Sequence, residues 1–126
     1  LMMKTCLNSR DGLIVLEMDK LAYIQADGNY ANLVYMCGDS VLVTLGLSKL
    51  EEVIRRAWPC EKVSPFVRMG RSLIINQTYL SEVRINTQKL VLSDNVGHKY
   101  TLSVPKPVLK AYRENIYDLY VRNQEM

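Results

Sequence analysis

Histidine is nearly missing from this chain: His98 is the one instance in 126 residues. A histidine-based metal site needs more than one imidazole, and His98 sits in a Gly97-His98-Lys99 turn with no evident acid to orient it for a triad. The six glycines stand alone at positions 12, 28, 38, 46, 70 and 97, so the spacing that cradles phosphates is absent and nucleotide hydrolysis is excluded. Long hydrophobic runs are missing too. Leu13 to Leu16 and Leu73 to Ile75 fall far below the roughly 18 apolar residues that cross a bilayer, and polar Asn8, Ser9, Arg10 and Asp11 stand where a signal peptide needs an apolar stretch. Secretion and membrane contact are not expected. The three cysteines, Cys6, Cys37 and Cys60, are odd in number and widely spaced, which fits neither a disulfide framework nor a Cys-x-x-Cys knuckle. They suggest a reducing cytoplasm, with each cysteine a small buried hydrophobe. Glu17, Asp19 and Asp27 come nearest to an acidic pair and read as solvated charges. Neither a catalytic constellation, nor a metal site, nor a cofactor is expected.

What is present suits one folded domain over residues 1–120, followed by a polar tail over 121–126. Hydrophobic residues make up 48% and charged residues 23% of the chain, far from the composition of a disordered segment. The net charge of +3 conceals a segregation. From Arg55 to Arg113 there are eleven basic residues against Glu61, Glu82 and Asp94, so this segment carries +8 and the remainder −5. Such asymmetry suggests a surface that meets a polyanion, provided the charges do not scatter over several faces on folding.

Turn residues recur at Asp11-Gly12, Asp27-Gly28, Gly38-Asp39, Asn86-Thr87 and Asp94-Asn95, with β-branched and aromatic runs between them, which predicts a mostly β chain. Strands are expected at Met3 to Leu7, Leu13 to Leu16, Ala22 to Gln25, Tyr30 to Met36, Ser40 to Thr44, Phe66 to Met69, Leu80 to Ile85, Lys89 to Leu92 and Lys99 to Val104. Two short helices interrupt them. Leu47, Leu50, Ile54 and Ala57 have helical spacing, Ser48-x-x-Glu51 reads as a capping box, and Pro59 blocks continuation, so the first helix spans about 47–57. The second starts at Pro107 and runs to about 120, with Val108, Leu109, Tyr112, Ile116, Leu119 and Tyr120 on one stripe while Lys110 and Arg113 face away. Tyr23, Leu33, Val43, Phe66, Ile74, Val83 and Leu102 are assigned to the core.

The most informative stretch is Phe66-Val67-Arg68-Met69-Gly70-Arg71-Ser72-Leu73-Ile74-Ile75-Asn76, a strand that delivers two arginines around a glycine. A turn near Gly70 would push Arg71 outward, with a guanidinium fork suited to phosphate or to guanine O6 and N7. The stretch resembles the signature of the LytTR-type DNA-binding domain, the output-domain family of bacterial response regulators. Leu21-Ala22-Tyr23-Ile24-Gln25-Ala26-Asp27-Gly28-Asn29-Tyr30 is similar to a second motif of that family, and Thr44-Leu45-Gly46-Leu47-Ser48-Lys49-Leu50 to its approach to a helix. Tyr100-Thr101-Leu102-Ser103-Val104-Pro105-Lys106 resembles its closing strand and turn. The resemblance implies an elongated arrangement of small β-sheets whose loops and strand ends enter successive major grooves. It also implies sequence-specific binding of promoter duplex DNA with direct repeats by a transcriptional regulator, a dimer on that DNA, and fusion to an upstream receiver or membrane domain.

Carried over residue by residue, the resemblance places base reading in the Asn29 to Asn32 stretch, at Arg68 and Arg71, and at Lys106, where the family's arginine is replaced. Asn29, Tyr30, Asn32, Arg68, Arg71, Ser72, Lys106 and Lys110 are the candidate DNA-binding residues. Each has a plainer reading beside it. Asn29 suits a left-handed turn after Gly28, Tyr30 suits strand packing with a wet hydroxyl, and Ser72 suits a bond to its own backbone. Lys106 offers a point charge instead of a planar fork, which favours phosphate over base. Asn76 reads as the cap of a short turn. Two other classes compete: a small β-barrel module binding an anionic ligand such as a cyclic dinucleotide, and a protein-interaction domain using its edge strands. The spacing Arg68-x-x-Arg71, without an aspartate two before a following serine, argues against the cyclic-dinucleotide module.

Overall fold

The computed structural model describes residues 3–59 and 62–124, with the side chains at 119 and 122–124 set aside. Cys60, the place of Leu119 on the helical stripe, and residues 125–126 of the expected tail lie outside the described residues. The chain forms ten strands and two α-helices among them: β1 Lys4–Ser9, β2 Gly12–Glu17, β3 Leu21–Asp27, β4 Tyr30–Tyr35, β5 Ser40–Val43, α1 Leu47–Ala57, β6 Phe66–Arg68, β7 Leu73–Asn76, β8 Leu80–Arg84, β9 Lys89–Ser93, β10 Lys99–Ser103 and α2 Lys106–Gln124. All pairing is antiparallel. A central sheet has the order β5-β4-β3-β7-β6, flanked by the hairpin β1-β2 and by a smaller sheet β10-β9-β8.

The central sheet buries both faces because its strands alternate between two cores. On one face Ile24, Ala31, Leu33, Val43 and Ile74 meet Leu47, Leu50 and Ile54 of α1 and Leu7 and Leu16 of the hairpin. On the other, Leu73 and Ile75 meet Leu90, Leu92 and Leu102 of the small sheet and Leu109 and Tyr112 of α2. Each such fully buried aliphatic side chain contributes about 1.5–3 kcal/mol. Polar tips tie the layers: Tyr100 donates its hydroxyl to the Tyr35 carbonyl (2.8 Å) and Tyr79 to the Asp19 carbonyl (2.6 Å). The Tyr23 and Tyr100 rings meet edge-on at 5.3 Å. Of the expected core residues, Leu33, Val43, Ile74 and Leu102 are buried, and Tyr23, Phe66 and Val83 are half-buried against the same clusters.

Several expectations are corrected. Leu73–Asn76 is a strand, buried at every position, so it lacks the alternation by which half-buried strands announce themselves. Ser48 does not cap α1. The helix spans Leu47–Ala57 as expected, but its N-cap is Gly46, two residues before Ser48, with no side-chain cap bond, and Leu47 at its first position is drawn into the core. Helix α2 runs from Lys106 to Gln124 rather than from 107 to 120, since Val121, Arg122, Asn123 and Gln124 include no breaker. Cys6 and Cys37 are exposed rather than buried: Cys6 points outward opposite Val15 because Leu7 takes the inward position of β1, and Cys37 lies in the turn after β4. Asp19 is not simply solvated, for its Oδ1 is enclosed without a hydrogen-bond partner.

Asn76 performs the capping role expected of it. Its Oδ1 accepts from the Thr78 amide (3.1 Å) at the head of a 3-10 turn, and its Nδ2 donates to the Leu21 carbonyl (2.9 Å), all within a site only 1% exposed. Asn76→Ala should therefore destabilise the domain by about 2–3 kcal/mol, the loss of two hydrogen bonds plus the orphaning of buried backbone groups. Urea unfolding followed by circular dichroism measures it.

Candidate nucleic-acid interface

Antiparallel pairing of β3 with β4 and with β7 sends two connections to one end of the central sheet. Gln25 faces Leu73, and the Ala26 amide donates to the Ser72 carbonyl (2.8 Å), so the Asp27–Tyr30 turn stands beside the Met69–Ser72 loop. That loop reaches α2 in turn: a Cβ placed on Gly70 would lie 3.6 Å from Val108 Cγ2 in the first turn of the helix. Three stretches distant in sequence thus form one succession, Asn29 and Tyr30, then Arg71 and Ser72, then Lys106 and Lys110, and all six are exposed.

Gly28, at φ 62°, provides the left-handed residue of the first turn, so Asn29 is not needed for that and the plainer reading of it is corrected. Tyr30 is 47% exposed and does not fill the core. Asn32 is half-buried on β4, in register with Gln25 and Leu42, and those three form a row across the sheet face that α1 does not cover. The β1-β2 turn also comes close. Asp11, Gly12 and Leu13 share with Tyr30 and Leu42 a concavity of about 230 Å³, a neighbourhood that no local sequence signal announces.

The two arginines of the central motif differ in what they do. Arg68 donates through Nε to the Gly70 carbonyl (2.8 Å), through Nη2 to the Arg71 carbonyl (3.1 Å) and through Nη1 to Glu51 Oε1 of α1 (3.3 Å). Arg71 is exposed and takes part in none of the ion pairs among the described residues, and the same holds for Lys106 and Lys110. Lys106, Lys110 and Arg113 fall at i, i+4 and i+7 of α2 and are all exposed, so the helical spacing adds Arg113 to the candidates.

The eleven cations of the basic segment do not share one surface. Arg55 and Arg56 lie on α1, with Arg56 paired to Glu52 (2.6 Å), and Arg84 is engaged by Glu82 (2.7 Å) on the small sheet across the molecule. That second pair holds the Glu82 carboxyl below its usual range. Asp94 is held down to about 2, chiefly by the amides of Val96 and His98 and also by the His98 ring (2.6 Å). These groups stabilise turns and pairs. Among the described residues, Arg71 at the sheet end and Lys106, Lys110 and Arg113 on α2 take part in none of the ion pairs.

A family model described as the LytTr DNA-binding domain matches residues 11–116. The chain belongs to the LytTr DNA-binding domain family. Among solved structures it is similar to the LytTr DNA-binding domain of a Bacillus cereus protein described as a methyl-accepting/DNA response regulator, with 21% identity, 88% of this chain and 94% of that chain covered, and a TM-score of 0.58. That likeness supports the mostly β LytTr fold with its small sheets and two helices. A search of curated proteins found no match.

Within the LytTr domain Gly70 has φ 80°, and an added Cβ would meet only ordinary contact with Val108, so any penalty for a side chain there comes from the backbone conformation. Gly70→Ala should cost about 1–2 kcal/mol. Gly70→Asn should cost less, because asparagine tolerates left-handed geometry. Equal destabilisation of the two variants in urea would show that the penalty is not one of backbone conformation.

Proposed function

We propose that this LytTr domain binds promoter duplex DNA sequence-specifically, presenting the loops and strand ends at one end of its central sheet to successive major grooves. The observation that carries this reading is the exposed Arg71, in no ion pair among the described residues, on a loop that stands beside the Asn29–Tyr30 turn and meets the first turn of α2 at Val108. A guanidinium so placed matches guanine O6 and N7 bidentately. Asn29, Asn32 and Ser72 supply hydrogen-bonding groups beside it, and Tyr30 an aromatic ring. Lys106 and Lys110 supply point charges for phosphates, which fix register without reading sequence. Two copies on direct repeats would place two such ends along one duplex. The anionic-ligand alternative gains no support, since the Arg68 guanidinium is already engaged by the Gly70 and Arg71 carbonyls and by Glu51.

Fluorescence anisotropy with labelled duplexes at several salt concentrations tests the reading. If Arg71, Lys106, Lys110 and Arg113 each displace condensed counterions, the logarithm of the binding constant falls against the logarithm of salt with a slope of roughly −3 to −4. A flat response, or no duplex binding at low salt, would sink it. Arg71→Ala should weaken a site selected from random duplexes by about 1–3 kcal/mol while non-specific affinity falls less.

Lys106→Ala should behave otherwise. It should reduce affinity for selected and random duplexes by a similar factor and make the salt slope shallower by about one unit, the mark of one lost phosphate contact. A change of preference at one base pair with intact non-specific binding would show instead that the lysine reads a base.

A further inference from the structure

We propose that Arg68 is a positioning residue that shapes the loop carrying Arg71, and does not itself read DNA; the proposal rests on the DNA-binding reading above. Nε and Nη2 form one edge of a guanidinium, the edge that would otherwise grip a guanine or a phosphate bidentately. In Arg68 that edge is turned onto the carbonyls of Gly70 and Arg71, at 2.8 and 3.1 Å. The remaining terminal nitrogen, Nη1, lies 3.3 Å from Glu51 Oε1. To meet DNA with a fork, Arg68 would have to abandon the loop or its acid.

The chain of support runs back into the core. Leu50 and Ile54 fix α1 against the central sheet, and Glu51, beside Leu50, holds Nη1 of Arg68. Arg68 ends β6, where it pairs with Ile74, and its fork gathers two successive carbonyls across the left-handed Gly70. The Met69 amide donates to the Leu73 carbonyl (2.8 Å) and closes the same loop from the other side. Arg71 is thereby held by its own backbone carbonyl, leaving its side chain free in solvent. A lysine in place of Arg68 would keep the charge and lose the fork, and one ammonium cannot reproduce the planar grip on two carbonyls while also meeting Glu51.

The test is a double-mutant cycle on the whole domain, using Arg68→Lys, Arg71→Ala and the two combined. Each is titrated at several salt concentrations against a duplex selected from a random pool and against a scrambled duplex. The expected result for Arg68→Lys is about a tenfold loss on the selected duplex, within the range of one base contact, with the scrambled duplex and the salt slope unchanged. Added to Arg71→Ala, it should cause no further loss, because the two residues act through one contact. Glu51→Gln, on the surface of α1, should lose preference in the same direction by a smaller factor with the domain still folded. Equal loss on both duplexes with a slope shallower by about one would overturn the proposal in favour of a phosphate contact. So would additive losses in the double variant, or unchanged preference in Glu51→Gln. Failure of the unmutated domain to bind any duplex would remove the functional reading itself, and this proposal with it.

Discussion

The pairing of β3 with β7 is the constraint on which the rest of the molecule depends. Tyr23 faces Ile75, Ile24 faces Ile74 and Gln25 faces Leu73, and the ladder is closed by Ala26 onto Ser72 at one end and by Asn76 onto Leu21 at the other. β7 is buried on both faces, so this one short strand belongs to both cores. Its position decides where the preceding loop emerges. Sliding it by one residue would exchange Ile74 with its neighbours between the two cores and would carry Ser72 and Arg71 away from the Asp27–Tyr30 turn. A buried asparagine at the far end opposes such a slip, because a polar side chain with one bonding arrangement penalises every other register.

This arrangement explains how a sheet can offer what many DNA-binding proteins offer with a helix. Neither helix here belongs to a helix-turn-helix pair: α1 spends its apolar stripe on the core, and α2 seals the small sheet through Leu109 and Tyr112. On the proposed reading, what remains for the partner is the set of connections at one sheet end. Loops lack the internal bonding of a helix, so a side chain on a loop is placed only as well as the loop is fastened. The Met69–Ser72 loop is fastened by the backbone bonds of Met69 and Ser72, by the left-handed glycine and by the Arg68 fork. One arginine of the pair belongs with the scaffold in this view, and the other with the partner.

Much of the fold was legible in the sequence, and the exceptions share a cause. The alternating strands, the α1 stripe Leu47, Leu50 and Ile54, and the cap at Asn76 are local patterns, and they appear where local patterning places them. β7 escaped because a strand buried on both sides has no period to detect. The Ser48 capping box failed because Leu47, packed into the core, is already helical and the cap position falls on Gly46, a tertiary preference that local sequence does not show. Cys6 was read inward on residue type alone, although its neighbour Leu7 already claims the inward position in an alternating strand. Of the candidate site, the types and the order were legible through the family motifs. The difference in bonding between Arg68 and Arg71 was not, since both stand in one motif and only the bonds to Gly70, Arg71 and Glu51 distinguish them. The net charge of the basic segment likewise does not show that Arg56 and Arg84 are engaged by acids on their own helix or strand.

The start of α2 shows how local energetics bear on the functional reading. The Leu109 amide bonds to the Pro105 carbonyl, so the helix opens with Lys106, and its first turn contains no acidic residue. A helix N-terminus carries about half a positive charge, and a cation there is unfavourable by an amount of the same order as the 0.3–1 kcal/mol that an anion contributes. Lys106, with Lys110 one turn on, therefore works against the helix that carries it. A phosphate reverses the sign of both effects, since it is attracted by the ammonium groups and by the unsatisfied amides of the first turn together. Helix stability alone favours an acid at position 106, and binding of a polyanion favours a base. An ammonium is sufficient for that purpose because phosphate asks for charge and not for a planar fork, whereas base reading asks for both. On the DNA-binding reading the lysine is a residue whose placement is explained by the bound state and not by the free one.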